Sequence, residues 1–142
     1  MPSKTVIIVL TILLAVSGVL LYLASRKRVS LRAERLKGRT PLSLENICRE
    51  YYPQYNADEV ATLWSEIARD VGVKPELLRP SDRFDQDLGP VPGFPIAGEF
   101  ENLEENFSRR CKAVGLNPRE VSVETVDEYV KMFLKMKAQK GQ

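Results

Sequence analysis

The chain has 142 residues, 28% of them charged and 44% hydrophobic, with a formal net charge of +2. That length holds one modest domain plus an appendage, and the composition excludes wholesale disorder. The absence of histidine removes the usual general base, the Ser-His and Cys-His nucleophile pairs and the commonest metal ligand. The near-neutral total hides an asymmetry. Residues 1–40 hold eight Lys/Arg and one Glu, net +7, while residues 41–142 hold thirteen Lys/Arg and eighteen Asp/Glu, net −5. A nucleic-acid binder would carry its basic patch on the folded domain, so no nucleic-acid partner is expected.

After a stub of residues 1–4, residues 5–24 read TVIIVLTILLAVSGVLLYLA, with no charge. At 1.5 Å per residue twenty residues cross a hydrocarbon core of about 30 Å. A cleaved signal peptide is the competing reading. Its apolar core is usually about 7–15 residues and ends in a small-x-small site, so an uncleaved transmembrane helix is favoured. Arg26, Lys27, Arg28, Arg32, Arg35, Lys37 and Arg39 follow the span, against Lys4 before it. The positive-inside bias therefore predicts an outside N-terminus and a cytoplasmic C-terminal domain. The same cations attract anionic headgroups, although setting topology alone explains them. Residues 25–41, interrupted by Ser25, Ser30 and Gly38, are expected to form a basic linker.

The soluble part, residues 42–137, reads as all-α, with 138–142 as a tail. Leu44, Ile47, Cys48 and Tyr51 fall at helical spacing before Pro53. Asn56 with Glu59 resembles a capping box, and Val60, Leu63, Trp64, Ile67 and Val71 continue as an apolar stripe. Pro75 suggests a single helical turn. Pro95 can open the next helix, with Ile96, Phe100, Leu103 and Phe107 as its buried face and Gly115 as its C-cap. Thr125 and Glu128 form a T-x-x-E capping box for a last helix bearing Val126, Tyr129, Val130, Phe133 and Leu134. Trp64 and Phe107 are expected to be buried across one bundle. Cys48 and Cys111 are expected to be reduced small hydrophobes rather than a disulfide. Asp82, Asp85 and Asp87 lack the spacing, glycine and glutamate of a calcium loop, so they read as turn caps. No nucleophile, oxyanion donor or metal-ligand set stands out, and no enzyme activity is expected.

Residues 82–107, DRFDQDLGPVPGFPIAGEFENLEENF, carry a resemblance. Phe84, then Asp87-Leu88-Gly89, then Leu103-Glu104-Glu105-Asn106-Phe107 stand in an order similar to that around the loop and second helix of acyl carrier proteins. Val71-Gly72-Val73 and Thr125-Val126 extend the likeness over about half the chain. The resemblance implies a four-helix carrier-like bundle, preceded here by one extra helix and the membrane anchor. It also implies a serine for the phosphopantetheine arm near Pro92 or Gly93, and neither has a hydroxyl. No phosphopantetheine is therefore expected. In that family the second helix offers carboxylates to basic partner enzymes. By that likeness Glu101, Glu104 and Glu105 form a candidate partner-binding surface, against the plainer reading of a solvated helix face. Phe94 is expected to plug the mouth of the bundle. The resulting expectation is a membrane-anchored, non-catalytic interaction module with a protein partner and the bilayer. The alternative is an acyl carrier or lipid-metabolism accessory with an unconventional attachment site.

Overall fold

The computed structural model describes residues 3–89 and 100–141. Among these residues the chain is all-helical, with no strand. The elements are α1 (Lys4–Leu36), α2 (Leu44–Tyr51), α3 (Ala57–Val71), a 3-10 turn (Pro75–Leu77), α4 (Glu101–Ala113) and α5 (Val126–Lys140). The segment holding Pro92, Gly93, Phe94, Pro95 and Ile96 lies outside the described residues.

The stretch Lys4–Ala24 is long and apolar enough to cross a membrane, and none of its most apolar window is buried against protein. Thr11 and Ser17 return their hydroxyls to the carbonyls of Ile7 and Leu13, at 2.9 and 2.8 Å. Both hydroxyls are thus satisfied within the helix.

The expected linker at residues 25–41 is corrected by the structure. The helix continues without a break to Leu36. Local sequence permits this, because Arg, Lys, Leu, Ala and Glu lose little in a helix. Tertiary contacts then secure it. Leu36 is 1% exposed and joins the core, and Arg32, one turn earlier on the same face, is 3% exposed. Arg32 donates to the carbonyl of Val71 at 2.6 Å. Val71 is the last residue of α3, where carbonyls lack helical partners and the dipole favours a cation. Gly72, at φ 71°, turns the chain there, and the Val73 amide returns to Ala68 O. Past α1, Arg39 pairs with the buried Asp82 at 2.8 Å and also donates to Leu77 O. Arg79 donates to Thr40 O, and the Leu42 amide donates to Glu76 O.

Helix α3 is the hub, touching α2, α4, α5 and the 3-10 turn. Its Asn56 side chain accepts from the amides of Asp58 and Glu59. The predicted stripe Val60, Leu63, Trp64, Ile67 and Val71 is buried throughout. Trp64 meets the Tyr52 ring edge-on at 6.2 Å and donates to Pro75 O at 2.9 Å. The α5 capping box is present in both directions. Helix α5 runs on to Lys140, so most of the expected tail is helical. At the end of α4, Gly115 adopts φ 81° and the Leu116 amide reaches Cys111 O, so glycine ends the helix as expected.

The loop before α5 is tied to its start. The Phe84 amide donates to Glu124 O, and the Val126 and Asp127 amides donate to Asp82 O and Pro80 O. Arg83 bridges Asp85 and Glu124, at 3.0 and 2.8 Å. Bonding to Asp85 holds the Arg83 guanidinium above its usual range, and the same bond holds Asp85 below the ordinary carboxylate range.

Candidate docking surface

Helix α4 begins at Glu101 without a side-chain cap, because its N-cap residue is Phe100. The first turn holds Glu101 and Glu104. Their carboxylates lie at the positive end of the helix dipole, where an acid typically contributes 0.3–1 kcal/mol. Glu101, Glu104 and Glu105 are all exposed, with Glu101 and Glu105 one turn apart. Arg109, one turn after Glu105, donates to Asn106 Oδ1. The opposite flank of α4 is engaged with α3. Asn106 donates to Asp70 at 2.7 Å, and Arg110 pairs with Glu66. The three glutamates therefore stand on the part of α4 left to solvent.

Beside them lies a cavity of about 200 Å³, lined by Phe84, Phe100, Leu103, Phe107 and Tyr129, with Glu104 on its rim. Rings in its wall touch one another, Phe84 to Tyr129 at 6.1 Å and Phe107 to Tyr129 at 5.8 Å, and behind the wall Tyr129 packs on Phe133 at 5.0 Å. Such edge-on and tilted arrangements satisfy the ring quadrupoles. Burial pushes the Tyr129 phenol up to about 12, with the nearby Arg110 opposing. Phe107 is half-buried rather than buried, because one side of its ring faces this cavity. It belongs to a different aromatic group from Trp64, which packs on Tyr52. A larger open groove, about 840 Å³, lies between the end of α1 and the turn after α3. It is lined by Glu34 and Glu76 as well as Lys37, Arg39 and Lys74, so it presents no single sign of charge. The smaller cavity is apolar, with Glu104 as the charged residue in its lining among the described residues, and is the more selective feature.

The turn that carries the family likeness has a structural account of its own. Phe84 forms cavity wall, and Asp87 accepts from the Arg83 amide at 2.9 Å. Leu88 is wholly buried. A Cβ on Gly89 would stand 2.3 Å from Asp85 O, so the position excludes any side chain. Asp82, likewise a turn cap, accepts from the Arg79 amide at 2.8 Å. The positions opposite the family's serine, Pro92 and Gly93, and the expected plug Phe94 lie outside the described residues. Ser81 is exposed before the turn, and Ser108 sits within α4.

Cys48 and Cys111 are both free and buried. Burial pushes both thiols up, with Asp58 adding to the effect at Cys48. Among the described residues no three His, Cys, Asp or Glu side chains gather as a metal site. The cavity, and the part Phe100 and Val123 play in it, were not readable from sequence. The only signal was negative, since Phe84 and Val123 are apolar residues outside any helical stripe. Comparison with known proteins returned no matching family model, no matching curated protein and no matching solved structure.

Proposed function

We propose that this chain is a membrane-anchored, non-catalytic interaction module whose carrier-like helical domain presents α4 to a basic protein partner. The observation that carries the reading is the juxtaposition of exposed Glu101, Glu104 and Glu105 with the apolar cavity that Glu104 rims. Together they suit a partner segment with an apolar anchor flanked by Lys or Arg. The acids add steering and register, and the cavity excludes water around the anchor. The unburied apolar half of α1 supports a single membrane span. The basic residues after it support an outside N-terminus and a cytoplasmic domain.

The test is a crosslinking capture from native membranes, comparing the full chain with E101K/E104K/E105K. The triple variant is expected to lose the partner while keeping its helical content. Undiminished capture by the variant refutes the acidic surface. Activity of a strictly extracytoplasmic reporter fused after Gln142 refutes the orientation. The order of Phe84, Asp87, Leu88 and Gly89 favours a second reading, a carrier with an unconventional attachment residue. Incubation with a phosphopantetheinyl transferase and coenzyme A is expected to leave the intact mass unchanged, and a mass gain would establish the carrier instead.

A further inference from the structure

The continuity of α1 places its cations at two different heights. The apolar stretch ends at Ala24. Arg26 and Lys27 follow at once and are exposed. The guanidinium carbon of Arg26 lies 5.8 Å from the centre of the Tyr22 ring, one turn back. That pairing suits a headgroup layer, where an amphipathic ring and a cation both find their preferred surroundings. At 1.5 Å per residue, Arg26 and Lys27 stand about 3–5 Å beyond the end of the span, within a headgroup layer about 5–8 Å thick. Arg32 stands about 12 Å beyond it, above that layer.

The docking of α1 separates the roles of these cations. Arg32 serves the bundle, through Val71 O and the face of Phe100, whose centre lies 5.0 Å away. At 3.6 residues per turn, Arg26 and Lys27 project about 120° and 140° around the helix from Arg32. A flexible linker would let the basic collar fold onto the domain of net −5. An unbroken helix to Leu36 keeps the exit turn at its own depth and azimuth. The acidic domain, held above, is repelled by the same anionic surface that attracts the exit turn.

On this basis, and resting on the membrane reading above, we infer that Arg26 and Lys27 form a binding site for the phosphate-bearing headgroups of anionic phospholipids. Selection follows from charge, each near-surface cation favouring an anionic over a zwitterionic lipid by up to about fivefold.

The experiment reconstitutes the full chain in phosphatidylcholine vesicles containing phosphatidylserine. It reads the association of spin-labelled phosphatidylserine against spin-labelled phosphatidylcholine with the protein. Wild type is expected to prefer phosphatidylserine. The preference should weaken as salt rises from about 0.1 M to about 1 M, which shortens the screening length from about 10 Å to about 3 Å. The R26Q and K27Q variants should each lower it by up to about fivefold, and R26Q should do so without moving the thermal transition of the bundle. Equal association of both lipids with wild type overturns the inference, as does a preference unchanged in R26Q/K27Q. Displacement of the labelled lipid by soluble glycerophosphate at matched concentration overturns the lipid-surface assignment in favour of a free-phosphate site. A chain that alkaline carbonate strips from the vesicles refutes the membrane reading and this inference with it. A chain that stays inserted without lipid preference refutes this inference alone.

Discussion

The two halves of α1 share one unbroken backbone and live in different surroundings. Over Lys4–Ala24 every large apolar side chain is exposed, Leu14 as much as 71%. Further along the same helix, Leu36 is 1% exposed and Arg32, a cation, is 3% exposed. The more apolar half is thus the unburied one, and the charged half is the one built into the core. The contrast teaches that hydrophobicity alone does not say which part of a helix a protein uses for itself. The first half is long and apolar enough to cross a membrane, and so large an apolar surface is unusual on a soluble domain. The second half is held by specific partners, and a few well-placed side chains suffice.

The sharpest way to break this comparison is to remove the core anchor of the second half. Leu36→Ala is expected to destabilise the bundle by about 2–5 kcal/mol, through lost burial and the cavity left behind. Thermal unfolding followed by Trp64 emission measures it, since Trp64 is fully buried in the bundle. A change below about 0.5 kcal/mol would show that α1 merely rests on the domain.

The polar clasp comes next. Asp82, 2% exposed, accepts from Arg39 and from the Arg79 amide. The bond to Asp82 holds the Arg39 guanidinium above its usual range despite partial burial. Asp82→Ala is expected to cost about 1.5–3 kcal/mol, the range for hydrogen bonds to charged groups. The same variant should increase proteolysis between α1 and α2, because Thr40 and Leu42 are fastened to the same loop.

Alkaline pH probes the cavity end of the bundle through Tyr129. Tyr129 is held neutral up to about 12 by burial, against about 10 in an unfolded chain. Below pH 10 the phenol is protonated in both states, and its contribution to stability is fully present. Between pH 10 and 12 the unfolded chain ionises while the native phenol does not, so stability is lost as pH rises. The loss reaches about 2–3 kcal/mol by pH 12. Tyr129→Phe should flatten this part of the stability–pH curve. An unchanged curve would place the alkaline sensitivity elsewhere. Tyr52 is one such place, because burial and the nearby Asp127 also raise its phenol.

How much was legible in the sequence follows the same division between near and far. The Asn56 cap and the Thr125–Glu128 box were readable because all their partners lie within four residues. The α3 stripe was readable because burial on one face repeats every turn. The continuation of α1 was not, since its decisive bond joins Arg32 to a carbonyl 39 residues away. A seven-cation collar reads locally as a solvated linker, and it is the end of α3 and the buried Asp82 that make Arg32 and Arg39 structural residues. Glu101, Glu104 and Glu105 are exposed on α4. The cavity beside them was not legible, because Phe84, Phe100 and Val123 approach it from three separate segments.

The smallest expected effect is the most discriminating control. Leu14 sits mid-span and touches no part of the bundle, to judge by its 71% exposure. In detergent micelles, which cover apolar surface such as that of residues 4–24, Leu14→Ala should leave Trp64-monitored unfolding within about 0.5 kcal/mol of wild type. Leu36→Ala, also a leucine in α1, should not. The two variants delete the same atoms from the same helix, so intrinsic helix propensity cancels between them. What remains is the difference between burial in the bundle and exposure to the solvating medium. Equal destabilisation by both would mean that the span folds back onto the domain in the micelle, and that the two halves of α1 share one environment after all.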